Sequence, residues 1–173
     1  TIIGGFADGA WAMPTVDPAL TVIDAQRARR AIRIESSSVA LVNLTIRNGR
    51  AGLLGNFLLG GGLLAEQNQQ DTIILDTVVV HDNSAGGSGG GVAIFGPAEF
   101  HDTQFLNNSA GEDGGGFWVG GELQYQGGEI RDNIAERNGG GGEMAICNCA
   151  DLVFSTNVAR TGSGGALYLR GGE

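Results

Sequence analysis

The chain contains no lysine, and its ten arginines are outnumbered by 19 acidic residues, which leaves a net charge of -9. Proteins that bind nucleic acid through the phosphate backbone need clustered positive charge. The composition therefore argues against a nucleic-acid partner. The only basic cluster, which we interpret as a solvated turn, consists of Arg27, Arg29, Arg30 and Arg33.

Prolines, cysteines and long apolar runs are also few. With three prolines and no Gly-X-Y period, the sequence excludes a collagen-like structure. No apolar run approaches the ~20 residues that span a membrane as a helix. Two thiols, Cys147 and Cys149, are too few for a structural zinc site or a disulfide framework. Side chains two positions apart on a strand point the same way, which disfavours a disulfide between these two cysteines.

Glycine is abundant instead, with 32 residues in a chain of 173, and it follows a repeat. Successive copies begin at asparagines that are 25, 25 and 24 residues apart, and each asparagine precedes a glycine cluster and a short apolar run. A fixed period of this length indicates a repeat architecture. The asparagines are Asn83, Asn108, Asn133 and Asn157.

No copy of the repeat contains the roughly 10–12 residues of 3.6-residue periodicity that a helix needs, which disfavours a helical solenoid. We predict an all-β fold, a single-stranded parallel β-helix with coils of about 25 residues and three short strands per coil. Alignment on the asparagines predicts two columns of stacked side chains. One column holds Ile46, Val80, Phe105, Ile130 and Phe154, and the other holds Leu75, Phe100, Tyr125 and Cys149.

The same alignment predicts a single domain over residues 1–173. Its parts are N-terminal coils over 1–47 with an irregular loop at 7–19, an apolar insertion at 52–60, and regular coils over 72–170.

Two segments resemble a known repeat. Phe105-Leu106-Asn107-Asn108 is followed by Gly114-Gly115-Gly116, and Phe154-Ser155-Thr156-Asn157 is followed by Gly164-Gly165-Ala166-Leu167. These pairs are similar to the F-x-x-N and G-G-A-[ILV] motifs of polymorphic-outer-membrane-protein-type repeats, which occur in bacterial surface proteins of the pectate-lyase-like superfold. The resemblance implies a right-handed β-helix and an extracellular or cell-surface location in a bacterium.

The repeating asparagines and glycines have a structural interpretation. An asparagine at a buried turn can offer its amide to the coils above and below, so stacked asparagines satisfy one another along the axis. We predict that the four repeat asparagines form a structural ladder. Glycines are expected at corners with positive φ or close backbone contacts. The glycine clusters lack the G-K-[ST] and G-x-G-x-x-G patterns of phosphate loops, so the repeat is interpreted as a scaffold.

Polysaccharide cleavage is considered because glycoside hydrolysis needs only two carboxyls about 5–9.5 Å apart. Asp76 and Asp102 could lie on adjacent coils, but the sequence has no Gly-His-Gly and no Arg-x-Lys. His81 and His101 occupy different positions in their coils, which disfavours a shared metal ion. We predict no enzyme activity, no metal and no cofactor. The other carboxylates considered are Glu99, Glu129 and Asp132.

Functional contacts are expected outside the repeated motif. Trp118 and Tyr168 share a column, and outward aromatic rings can stack on sugars, so both are candidate glycan contacts. Asn43 and Asn107 match the short N-glycosylation pattern. The insertion has two interpretations, a flap over the N-terminal coils or a self-association contact. Its apolar residues are Leu53, Leu54, Phe57, Leu58 and Leu59.

The ends of a solenoid matter, because coils without polar caps expose unpaired strand edges. The chain starts in a strand-like run at Thr1 without a signal peptide and stops within a coil. We expect either a segment of a longer chain or copies that stack head to tail into a filament. The preferred function is a non-enzymatic extracellular structural or adhesive β-helix, whose partners are copies of itself or other surface proteins. The alternative is a β-helix that binds or cleaves a polysaccharide.

Overall fold

The computed structural model describes residues 1–6, 17–52 and 58–171. Within them the chain is an all-β parallel solenoid of about 6 turns, with coils about 25 residues apart, which confirms the predicted fold class. One turn of 3-10 helix, Pro18–Leu20, is the only helix of the described residues. The strands are β1 (Ile2–Ile3), β2 (Val22–Asp24), β3 (Ile32–Glu35), β4 (Val39–Arg47), β5 (Arg50–Ala51), β6 (Leu63–Glu66), β7 (Ile73–His81), β8 (Ser84–Ala85), β9 (Val92–Ile94), β10 (Ala98–His101), β11 (Gln104–Leu106), β12 (Ser109–Ala110), β13 (Phe117–Arg131), β14 (Ile134–Ala135), β15 (Gly142–Ser155), β16 (Val158–Ala159) and β17 (Leu167–Leu169).

Strands of neighbouring coils pair in parallel. One sheet contains 12 strands, and the two-residue strands β5, β8, β12, β14 and β16 form a second sheet of 5. The coil that begins at Ala98 contains three extended segments of three or four residues, which are β10, β11 and the first three residues of β13. The two-residue strand β12 lies between β11 and β13. Each coil therefore repeats the same short extended segments in the same order.

The strand register confirms both predicted columns. Phe105 pairs with Val80 in the preceding coil and with Ile130 in the following one. All three side chains are completely buried, because alternate residues of a strand face the inside of the solenoid. The second column runs through Leu75, Phe100, Tyr125 and Cys149.

Four aromatic rings form the centre of the core. Phe100, Phe105, Phe117 and Tyr125 pack in tilted or edge-to-face pairs, and the Phe105 and Phe117 ring centroids are 5.0 Å apart. The Tyr125 hydroxyl donates to the Thr103 carbonyl at 2.6 Å, so its polar end is satisfied inside the core. Burial also raises the pKa of Tyr125 well above its ordinary value.

Each coil turns at corners where the backbone is left-handed. The first glycine of every cluster is one such corner, with φ of 66° at Gly114 and 71° at Gly164. A second corner holds asparagine, aspartate or threonine immediately before the ladder position, with φ of 52° at Asn107 and 57° at Asp132. Short polar side chains tolerate this conformation better than other non-glycine residues do. The turn is therefore made by the residue before each ladder asparagine, which the sequence analysis did not anticipate.

The two cysteines form a disulfide, against the expectation from their spacing. The Cα atoms of Cys147 and Cys149 are 5.5 Å apart, within the normal range for a disulfide. Their register partners are Leu123 and Tyr125, which face the core. Because both cysteines point to the same face of β15, the two sulfur atoms can meet there.

The predicted loop at 7–19 lies mostly outside the described residues. Its last part begins the 3-10 helix, which Asp17 caps by accepting from the Ala19 N–H at 2.9 Å. The hydroxyl of Thr45 on β4 donates to the Pro18 carbonyl at 3.0 Å. This bond holds the helix against the outer surface of the solenoid.

Candidate functional site

The repeat asparagines form a continuous ladder of hydrogen bonds. The side-chain oxygen of Asn108 accepts from the backbone N–H and the Nδ2 of Asn83, each at 3.0 Å. Asn133 accepts from Asn108 in the same way, and Asn157 accepts from Asn133. In the coil before Asn83, Gly49 takes the ladder position and donates its N–H to Asn83 Oδ1 at 2.7 Å. These bonds join consecutive coils, and with the bonds to backbone carbonyls they engage the whole side-chain amides of Asn83, Asn108 and Asn133.

Trp118 and Tyr168 lie in one column, with Glu143 between them. The Trp118 ring contacts Phe95 edge-on at a centroid distance of 5.3 Å, and the Arg170 guanidinium lies 4.9 Å from the Trp118 ring centre. Glu143 separates Trp118 from Tyr168 in this column, and Arg170 covers one face of the Trp118 ring. Sugar contact at Trp118 and Tyr168 stays a prediction.

Glu143 is a buried acid, only 3% exposed. Its Oε1 lies 2.9 Å from the Nε of Arg170, and its Oε2 has no hydrogen-bond partner among the described residues. Burial raises the pKa of Glu143, the nearby Asp113 carboxylate raises it further, and Arg170 acts in the opposite direction. Asp113 in turn accepts from Arg137 at 2.6 Å. The cluster is therefore a partly buried ion network whose charge depends on pH.

Replacing Glu143 by glutamine is expected to change how stability depends on pH. A carboxyl whose pKa is raised in the folded state stabilises the fold below its unfolded pKa of about 4.3, and this contribution is lost as the pH rises through the folded value. The free energy of unfolding of Glu143→Gln should therefore increase relative to that of the wild type as the pH rises from about 4 to about 7. Urea unfolding across this range measures the difference.

Asp132→Asn provides a control of opposite sign. Hydrogen bonds from Thr156 and Arg131 lower the pKa of Asp132, so its contribution is present above the unfolded pKa and is lost as the pH falls through the folded value. The asparagine variant should lose stability relative to the wild type as the pH rises. If the difference in the free energy of unfolding between Glu143→Gln and the wild type stays constant between about pH 4 and about pH 7, burial does not raise the pKa of Glu143.

The acidic residues considered for catalysis are distributed over three consecutive coils. The register places Asp102 one residue beyond the partner of Asp76. Glu129 and Asp132 both contact Arg131, at 3.0 Å and 2.8 Å. Each of these two carboxylates therefore pairs with the arginine that lies between them.

The two histidines also have separate partners. His81 Nδ1 lies 2.6 Å from Asp82 Oδ2, and His101 Nε2 lies 3.8 Å from Glu99 Oε2. Over residues 1–6, 17–52 and 58–171, no group of three or more His, Cys, Asp or Glu residues is placed to hold a metal ion.

The end of the apolar insertion contacts the neighbouring coils. The Gly87 N–H donates to the Leu58 carbonyl at 2.9 Å, and Arg30 Nη2 donates to the Leu59 carbonyl at 2.8 Å. Leu58 is 40% exposed, so this end is held by backbone contacts and leaves an apolar side chain at the surface. Self-association through the insertion stays a prediction. Its other proposed residues, Leu53, Leu54 and Phe57, lie outside the described residues.

The basic cluster of the sequence is divided among different contacts. Arg30 donates to two backbone carbonyls, at 2.8 Å and 2.9 Å, and Arg33 pairs with Glu66 at 2.6 Å. Arg27 instead lines a surface cleft of about 360 Å³ together with Arg50. Arg27 and Arg50 lie in consecutive coils, and because they are 23 residues apart in the sequence, the cluster of neighbouring arginines did not reveal this pair.

The cleft continues into a second cavity of about 400 Å³, since Asp82 and Asn107 line both. Cavities of this size are within the usual range of small-ligand sites. The first cavity is mainly polar and also contains Asn83, Ser84 and Ser109, whereas the second adds Pro18, Ala19, Thr45, Val79, His81, Leu106 and Arg131.

Residues 151–170 match the family model of the Chlamydia polymorphic membrane protein repeat. This segment is similar to a polymorphic-membrane-protein repeat. In this segment Phe154 continues the inward column, Asn157 accepts the ladder bonds of the preceding coil, and Gly164 makes the left-handed corner. The matched segment therefore covers most of one coil of the solenoid, and its motif residues lie at the positions that join coils.

Polymorphic membrane proteins are membrane- or surface-associated proteins of bacteria. No curated protein and no solved structure gives a significant match to the chain. In the part of the chain that the structure describes, no helix is long and apolar enough to cross a membrane.

Proposed function

We propose that this chain is a non-enzymatic structural and adhesive module exposed on a bacterial surface. The observation that carries the proposal is the parallel pairing of strands from coil to coil, joined by the asparagine ladder. Such a solenoid is stiff, and its outward columns repeat the same positions along the axis. The polymorphic-membrane-protein repeat supports the surface location.

Stacking along the axis forms part of this proposal. Most of the large exposed apolar side chains belong to the first and last coils. These side chains are Ile2, Ile3 and Val22 at one end and Ile146, Val153, Val158 and Leu169 at the other. Ile2 and Leu169 face the interior of the solenoid, since their register partners Leu41 and Met144 are completely buried. A further coil, either of a longer chain or of a second copy, would cover these two side chains and pair the exposed strand edges.

One preparation of the purified chain tests both parts. Incubation with acidic and neutral polysaccharides should produce no new reducing or unsaturated ends. Electron micrographs should show fibres that lengthen as the protein concentration rises. Rapid cleavage of any polysaccharide would refute the non-enzymatic role, whereas separate short rods at high concentration would remove head-to-tail assembly alone.

The second candidate function is polysaccharide binding without cleavage. It is favoured by the cleft that contains Arg27 and Arg50, because its volume and polar lining suit a small charged ligand. Binding of this kind is compatible with an adhesive role.

A further inference from the structure

We infer that the cleft lined by Arg27 and Arg50 binds the anionic group of an acidic oligosaccharide. The inference rests on the proposed non-enzymatic adhesive role and names the class of ligand that would be recognised. The positive charge of the cleft and the hydroxyl groups that follow it along the solenoid axis support this class of ligand.

Arg27 and Arg50 line the cleft, and neither forms a salt bridge with an acidic side chain of the described residues. Within the described parts of the chain, neither Arg27 nor Arg50 forms an ion pair or a side-chain hydrogen bond. This is unusual for a protein with 19 acidic residues and a net charge of -9, in which most arginines are paired. The arginines that form ion pairs are Arg33, Arg47, Arg131, Arg137, Arg160 and Arg170.

The one acid among the described residues that line the cleft is already engaged. Asp82 accepts from His81 Nδ1 at 2.6 Å and from the Nδ2 of Asn107. Partial burial would raise the pKa of Asp82, but the hydrogen bonds from His81 and Asn107 and the charges of His81 and Arg27 outweigh it and lower the pKa. The cleft therefore contains two positive charges and one negative charge, and Asp82 accepts its hydrogen bonds from groups other than the two arginines. An external anion can accept hydrogen bonds from both guanidinium groups, which are suited to bidentate contacts with carboxylates and sulfates.

Hydroxyl groups continue the site along the axis. Arg50 is the register partner of Ser84, and Ser84 is the partner of Ser109, so the three side chains follow one another in consecutive coils about 4.8 Å apart. Serine hydroxyls can donate to and accept from the hydroxyls of a sugar. The adjoining cavity adds the apolar surfaces of Val79 and Leu106, which suit the less polar face of a sugar ring. The arrangement favours an elongated ligand that carries an acidic group at one end and hydroxyls along its length.

Binding is tested by calorimetric titration of the whole chain with four probes. These are an oligogalacturonate, which carries carboxylates, a sulfated dextran oligomer, a neutral dextran oligomer of similar length, and inorganic sulfate. We expect one or both acidic probes to bind and neutral dextran not to bind, which also separates carboxylate from sulfate recognition. The double variant Arg27→Gln/Arg50→Gln should weaken binding by about ten-fold or more, because charge-assisted hydrogen bonds are lost.

The matched control is Arg29→Gln/Arg160→Gln, which removes the same charge from residues that do not line the cleft. It should leave the affinity within about two-fold of the wild type. The variant Arg27→Gln/Arg50→Gln should keep the wild-type unfolding midpoint, because it loses no ion pair and no side-chain hydrogen bond among the described residues. The control loses the exposed ion pair between Arg160 and Glu136, which should lower the free energy of unfolding by about 1 kcal/mol at most.

Three outcomes would overturn the inference. They are an absence of binding by both acidic probes, equal weakening by the two double variants, and inorganic sulfate that binds as tightly as the oligosaccharides. Cleavage of a probe would contradict the proposed function instead, while the loss of affinity in Arg27→Gln/Arg50→Gln would still locate the binding site.

Discussion

Replacing Asn108 by alanine is expected to lower the free energy of unfolding by about 3–5 kcal/mol, because several buried groups lose their partners together. The Asn83 N–H and Nδ2 lose their acceptor, and the Val80 carbonyl loses a donor at 2.9 Å. Asn108 is 1% exposed, so water cannot take its place without opening the coil. Urea or guanidinium unfolding near neutral pH measures the loss.

Asn157→Ala is the matched control for this prediction. Asn157 makes the same kind of bonds, since its oxygen accepts from Asn133 at 3.0 Å and its Nδ2 donates to the Ile130 carbonyl at 2.7 Å. It is partly exposed, however, so water can replace some of these bonds, and the loss should be about half of that for Asn108→Ala. Equal losses at the two positions would show that burial of the ladder is not what makes it stabilising.

Replacing Gly115 by alanine is expected to cost about 3 kcal/mol or more, because the new methyl group has no space between two coils. A Cβ at this position would collide with the Gly140 carbonyl oxygen and would lie 2.6 Å from the carbonyl carbon of Ile134. Both are backbone atoms of the next coil, so the clash can be relieved only by moving paired strands apart. Denaturant unfolding of the variant measures the cost.

Gly165→Ala provides the comparison, because Gly165 occupies the same place in a glycine cluster. There a Cβ meets only the Asn157 carbonyl oxygen, at 3.3 Å, among the described residues. Neither Gly115 nor Gly165 has a positive φ, so backbone strain does not distinguish the two positions. The expected cost at Gly165 is below about 1 kcal/mol. Similar losses in the free energy of unfolding at both sites would mean that close contact with the next coil is not the reason for glycine at position 115.

The regular part of the fold could be predicted because every coil of a solenoid repeats the same local structure. Each coil contacts mainly its neighbours, so a constant period places equivalent residues over one another. The columns through Phe105 and Phe100 follow from this rule, as does the placement of Gly49 at the ladder position. The period is therefore enough to predict which residues far apart in the chain lie next to each other.

Contacts that cross columns could not be found by counting. The disulfide between Cys147 and Cys149 depends on how far the two side chains turn toward each other within one face of β15. The position of Arg170 over Trp118 depends on a side chain that reaches back across two coils. The period fixes which coil a residue belongs to, but not the direction in which a long side chain extends.

The sequence by itself determined the parallel β-helix, its period and the identity of the ladder asparagines. The reason is that each inward residue packs between residues at the equivalent positions of the coils above and below. Tertiary structure alone decided which surface residues meet, since outward side chains are not held by that repetition. Arg27 and Arg50 illustrate the difference. They come together because an irregular N-terminal turn lies over a regular strand, and the cleft between them results from a packing contact that no periodicity encodes.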